Sequence, residues 1–134
     1  MLAPPPFRRT AMRALIDRYL DAYNRLDVEG MLATVHPQVV FENVAGGAVT
    51  VRTEGIAELR RLAERTRPLF ARRRQTITSY AESNGVARVG IAFEGVFALD
   101  LPNGVRAGQV LALDGRSEFR VHDGLLIHIA DYSD

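Results

Sequence analysis

The chain of 134 residues contains no cysteine, which excludes disulfides, thiolate metal sites and a thiol nucleophile. Lysine is also absent, so all 17 basic residues are arginine and Schiff-base chemistry through a lysine is excluded. No apolar run approaches the ~18 residues of a membrane span, and the start, Met-Leu-Ala-Pro-Pro-Pro-Phe-Arg-Arg, lacks a secretory apolar core. A soluble cytoplasmic protein with no membrane partner is therefore expected. The formal net charge of +1 provides no overall drive towards nucleic acid. Arg72-Arg73-Arg74, with Arg60, Arg61, Arg65 and Arg67 upstream, offers a local basic patch, but Glu54, Glu58 and Glu64 are interspersed. That mixture favours a solvated helix face over a phosphate-binding surface.

What is present is a pattern of short elements. Pro4-Pro5-Pro6 predicts a loose arm over residues 1–6, followed by one domain over 7–134. From Phe7 to Asn24 the apolar Met12, Leu15, Ile16, Tyr19, Leu20 and Tyr23 follow the 3.6-residue period of an amphipathic helix. Asp27 is placed to cap a short second helix through Val35, which His36-Pro37 should end. Val39–Val44 alternates Val39/Phe41/Asn43 against Val40/Glu42/Val44 and reads as a strand, with a turn at Ala45-Gly46-Gly47 and a short strand from Val49 to Arg52. Thr53 is placed to cap a third helix, Glu54 to about Thr66, with Ile56, Leu59, Leu62 and Ala63 as its buried stripe. Four long strands follow: Arg72–Glu82, Val86–Leu101, Gln109–Val121 and a closing strand, with turns at Asn84-Gly85, Asn103-Gly104 and Asp123-Gly124. The order is α+β. Both parities of Val86–Leu101 carry apolar residues, which predicts a sheet covered on both faces, by helices on one side and by a second copy of the chain on the other.

In the closing hairpin, Ser117/Phe119/Val121 and Leu125/Ile127/Ile129 alternate about His122-Asp123-Gly124, and the second alternation continues to Asp131. A carboxylate on the apolar side of a sheet is costly without a partner, which makes Asp131 either a site residue or a hydrogen-bonded acid near the sheet edge. Phe119 to Tyr132, with Asp-Gly in the turn and Asp-Tyr near the end, resembles the closing hairpin of the SnoaL-like branch of the nuclear-transport-factor-2-like superfamily. The order of elements resembles that superfamily over nearly the whole chain.

The resemblance implies a curved mixed sheet wrapped as a cone around the helices, with an apolar pocket inside and homodimerisation through the outer sheet face. It implies no cofactor and no metal. Against ketosteroid isomerase, Arg18–Asn43 aligns without a gap. Tyr19 then falls on the oxyanion-stabilising tyrosine, a core aromatic with its hydroxyl satisfied being the competing role; Asn43 replaces the general-base aspartate and Ser117 replaces the second donor, so steroid isomerisation is disfavoured. Asn24 stands near an acid of scytalone dehydratase, and a solvated helix end is the role expected for it. Against limonene epoxide hydrolase, Phe41, Asn43 and Asp131 match a tyrosine, a water-holding asparagine and a base, while Glu94 and Val96 occupy the Arg-x-Asp positions. Glu94 would then be the second acid if it faces the pocket, and outward-facing if it follows the parity of Arg88. The polyketide cyclase SnoaL uses an aspartate as acid/base, a role open to Asp131. The implied site is thus catalytic Asp131, Asn43, Tyr19 and Glu94, with Phe41, Ser117, Phe119 and Ile129 around a small apolar ligand. The implied activity is cofactor-free hydrolysis, cyclisation or isomerisation. The competing reading is a non-catalytic ligand-binding or dimerisation domain in which Asn43 and Asp131 satisfy each other.

Overall fold

The structure is a computed structural model and describes residues 9–133; the expected N-terminal arm lies outside them. The first helix, α1, runs Ala11–Asn24, and the Thr10 hydroxyl caps it by accepting from the Arg13 N–H at 3.1 Å. Its periodic stripe, Met12, Leu15, Ile16, Tyr19 and Leu20, is buried. Leu26 takes a left-handed turn (φ 59°), and Asp27 caps α2, Val28–Leu32, through the Gly30 N–H at 2.9 Å. A Cβ on Gly30 would lie 2.5 Å from the Asp27 carboxylate and 3.0 Å from the Ala22 Cβ, so the close approach of cap and α1 requires glycine here.

The second helix is shorter than the sequence pattern predicts, because β1 (Val35–Ala45) has already begun at Val35 and includes His36-Pro37. Pro37 is tolerated because the pairing of β1 is interrupted between Val35 and Val40, where a missing N–H costs nothing. β2, Ala48–Glu54, returns antiparallel to β1. Pairing of Thr53 with Phe41 and of Glu54 with Val40 carries this strand past the expected cap, so Thr53 is buried in the sheet and caps nothing. The helix α3 instead begins after Gly55 (φ 84°) and spans Ile56–Thr66, and the Glu58 carboxylate accepts from the Glu54 N–H at 2.9 Å. Leu59 and Ala63 are buried on this helix, while Ile56 and Leu62 are half-buried.

A single 3-10 turn, Arg67–Leu69, leads into β3 (Phe70–Ser83), β4 (Val86–Phe97), β5 (Val110–His122) and β6 (Leu125–Ser133). Asn84-Gly85 and Asp123-Gly124 have positive φ at both positions, as two-residue hairpin turns demand. The strand order is β2-β1-β6-β5-β4-β3, antiparallel except that β6 lies parallel to β1, which makes the sheet mixed. The helices pack on one face of this curved sheet, and Phe119, Ile16, Leu126, Ile129, Val39 and Val89 are the largest fully buried apolar side chains between them.

One parity differs from the alternation of the sequence. Val121 pairs with Leu126 while Arg120 pairs with His128, so Ile127 is an extra residue on β6. This bulge turns Leu126 inward in place of Ile127, and the inner row reads Leu126, Ile129, Asp131. The outer face also departs from the expected apolar cover. Val86, Ala92 and Val96 are half-buried there, but Arg88 and Glu94 between them are exposed, and Glu42 pairs with Arg52 at 3.0 Å and with His128 at 2.9 Å. Among the described residues no helix is long and apolar enough to cross a membrane.

Candidate functional site

Three neighbouring strands set a polar row into the apolar inner face. Asn43 on β1 is in register with Asp131 on β6, and Asp131 is in register with Ser117 on β5. One register step away the row is apolar: Phe41, Ile129 and Phe119. Inward alternation on each strand produces both rows, so the juxtaposition of Asn43 and Asp131 follows from parity once β6 is placed beside β1. The Ser117 hydroxyl donates to Asp131 Oδ1 at 2.7 Å. Burial pushes the Asp131 carboxyl up to about 6, against the opposing effect of the Ser117 hydrogen bond. Asn43 does not satisfy Asp131 among the described residues. Its Nδ2 donates to Thr50 Oγ1 at 3.2 Å, and the Thr50 hydroxyl donates back to the Asn43 carbonyl at 3.1 Å.

Asp131 and Asn43 open onto a hollow of about 230 Å³ between the sheet and α1, α2 and α3, whose wall includes Tyr19, Tyr23, Phe41, Leu59 and Arg73. A second hollow of about 230 Å³ shares Tyr23, Asn43 and Asp131 and continues past Ser117 and Gln75 to Arg116. Either exceeds the ~150 Å³ of a cavity that accepts benzene. Tyr19 packs edge-on against Phe119, with ring centroids 6.0 Å apart. The Tyr19 hydroxyl has no hydrogen-bond partner among the described residues and lies on the wall of the hollow. Burial, reinforced by the charge of Asp131, raises its pKa well above the usual tyrosine value, so it stays a proton donor.

Other assignments change. Glu94 is on the opposite side of the sheet: it pairs with Arg74 and Ala112, is exposed, and borders an open outer groove with Asp114. Its parity is that of Arg88, one residue out of phase with the inward Phe93, so it cannot act with Asp131 on one ligand. Phe119 and Ile129 are fully buried in the core and line neither hollow, because they sit under α1 where the sheet is most closely covered. Phe41 is half-buried on the wall, and Ser117 reaches the second hollow.

Arg73 is the residue that the sequence reading misses. It lies on β3 and not on a solvated helix face, and it is only 5% exposed. The available signal was parity, since Arg73, Gln75 and Ile77 share the inward phase of β3 and only Arg72 and Arg74 point out. Asn24 likewise has a definite role. Its side chain accepts from the Gln75 N–H at 2.7 Å and donates to the Gln75 carbonyl at 3.1 Å, tying the end of α1 to β3 beside the hollow. Among the described residues no group of three or more His, Cys, Asp or Glu is arranged to hold a metal ion.

A helix-covered, curved mixed sheet with a polar row facing an internal hollow defines the class of the nuclear-transport-factor-2-like and ketosteroid-isomerase-like folds. Residues 16–129 match the model of the SnoaL-like domain, and the chain belongs to that family. It is similar to a candidate polyketide cyclase from Xanthomonas campestris pv. campestris, with 22% identity, coverage of 92% of this chain and 90% of the other, and a TM-score of 0.73. IdmH, a candidate polyketide cyclase from Streptomyces antibioticus, matches at 16% identity over 91% of each chain, with a TM-score of 0.75. An NTF2-like protein from Burkholderia pseudomallei matches at 18% identity over 94% and 92%, with a TM-score of 0.74. No protein of curated function matches the sequence.

Proposed function

We propose that this protein is a small-molecule enzyme that moves a proton on a carbon next to a carbonyl, in a cyclisation or isomerisation. Asp131 is the acid/base, Tyr19 the donor to the developing oxyanion, and Asn43 the group that orients substrate or water. The observation that carries this reading is the placement of the Asp131 carboxyl. It is desolvated on the wall of an internal hollow, held by a single Ser117 hydroxyl at 2.7 Å, and brought near neutrality at about 6. A base with that pKa is ionised at pH 7 yet strong enough to accept a proton from an activated carbon. The Tyr19 hydroxyl on the same wall supports the reading, because a donor without a protein acceptor is free for substrate oxygen. The likeness to candidate polyketide cyclases points to the same class of chemistry.

The test is hydrogen–deuterium exchange at the α-carbon of a panel of β-keto esters and 1,3-diketones in D2O, followed by NMR with wild type and Asp131→Asn. Exchange faster than buffer and lost in the variant is the expected result. No acceleration over buffer across the panel at high enzyme concentration would replace this reading with that of a non-catalytic binding domain. Epoxide hydrolysis is the weaker branch, since Glu94 is outside the hollow and Phe41 brings no hydroxyl to a water. Terpene and styrene epoxides are expected to remain unhydrolysed.

A further inference from the structure

Arg73 poses a problem that the proton-transfer reading does not absorb. Its guanidinium is buried, and burial lowers its pKa, the direction expected for a cation removed from water. Its Nε donates to the Tyr23 carbonyl at 2.9 Å, one Nη2 hydrogen faces the Met31 sulfur at 3.8 Å, and the group lies 3.6 Å from the centre of the Tyr23 ring. Guanidinium has five N–H donors, and since it also hydrogen-bonds the Tyr23 side chain, two are left without an acceptor among the described residues. No carboxylate is within ion-pair distance of Arg73 among those residues, whereas Arg13, Arg52, Arg60 and Arg88 each have an Asp or Glu partner. Asp131 shares the hollow but forms no ion pair with it. A buried cation costs several kcal/mol unless an anion faces it, and contact with an aromatic ring offsets only part of that.

We propose that Arg73 makes this end of the hollow an anion-binding subsite, and that the molecule bound there carries a carboxylate held by the guanidinium. This deepens the proposed function and rests on the hollow being a ligand site. The planar fork of free N–H groups suits a planar carboxylate, which can take two parallel hydrogen bonds. Tyr19, Asn43 and Asp131 line the same hollow as Arg73. A substrate anchored by its carboxylate at Arg73 therefore has its reacting carbon towards Tyr19, Asp131 and Asn43. The substrate class is an organic acid whose reacting centre lies away from the carboxylate.

The experiment compares pairs of ligands that differ only in charge: benzoate with benzamide and 1-naphthoate with 1-naphthamide. They are titrated by calorimetry at pH 7.5 into wild type, Arg73→Gln, Arg73→Lys and Arg116→Gln. Wild type is expected to bind each acid at least about tenfold more tightly than its amide, the scale of one charge-assisted contact. Arg73→Gln should lose that preference with amide binding unchanged, Arg73→Lys should keep part of it, and Arg116→Gln should keep all of it. Equal affinity of acid and amide for wild type overturns the subsite but leaves the hollow. Loss of the preference in Arg116→Gln, with its retention in Arg73→Gln, also overturns it. Binding of neither member of either pair removes the ligand site and the subsite together. Should Arg73→Gln fail to fold, the wild-type comparison and Arg116→Gln still decide the question.

Discussion

Between pH 4 and pH 6 the folded chain binds a proton at Asp131 that the unfolded chain has released, because burial raises the carboxyl from 3.8 to about 6. Stability from this residue is present below pH 4 and lost as pH rises through 6. At pH 7 the ionised carboxylate therefore works against the fold by about 2–3 kcal/mol. Asp131→Asn retains an acceptor for Ser117 and should stabilise the protein at pH 7–8 by up to that amount, while its stability converges on wild type below pH 4. Urea denaturation at pH 3.5, 5.5 and 7.5 measures this, and a variant equally stable at all three would mean that the acid is not desolvated. The same substitution should abolish the α-carbon exchange described above. In wild type, exchange should rise with pH through about 6 if the carboxylate is the base. Tyr19→Phe should be nearly neutral for stability, within about 0.5 kcal/mol, because its hydroxyl has no protein partner among the described residues to lose. A loss of about 1.5 kcal/mol or more in denaturant unfolding would show that the hydroxyl serves the fold.

At the scale of elements, the site depends on how α1 is held to β3. Asn24 satisfies both backbone groups of Gln75, at 2.7 and 3.1 Å, and the next residue but one, Arg73, bonds the carbonyl of Tyr23 at 2.9 Å. The last turn of α1 and the inward side of β3 are thus clamped together where both hollows meet Tyr23. Asn24→Ala leaves the Gln75 N–H without its partner and should destabilise by about 1–3 kcal/mol. It should also weaken binding of both acid and amide probes, which Asp21→Ala, in the exposed part of the same helix turn, should not. The helices, the two Asx-Gly hairpins and the inward phase of Asn43 were legible from period and turn chemistry. The first residues of β1 were not, because nothing local reveals that Val35 will find Leu126 as a parallel partner. The cap of α3 was misplaced for a similar reason: Thr53 has the right side chain for a cap, but strand pairing with Phe41 claims it first.

For the whole molecule, the sheet has a helix-covered face and an outer face, and homodimerisation through the outer face is our expectation. Val44, Val86, Ala92 and Val96 are half-buried there, and Val110 is exposed beside Val96 on the next strand. Light scattering at micromolar concentration should give twice the chain mass, and Val110→Glu should shift the equilibrium towards the single chain. A mass of one chain for wild type would retire the dimer and leave the interior site unaffected.

The amino-acid sequence by itself determined the classes of chemistry left open, the α+β order, the turns, and the inward phase of Asn43, Ser117 and Asp131, since these depend on residue type and on the local periods of helix and strand. Only the tertiary structure decided which of those residues share a hollow. A bulge at Ile127 shifts parity without a sequence signal, β1 and β6 are brought together from opposite ends of the chain, and Glu94 is sent to the far side of the sheet. The tertiary structure also withdrew one arginine of a charged run from water, because the face on which a strand residue is buried depends on which layer covers the strand, and that layer is α1 and α2, some forty to fifty residues earlier in the chain.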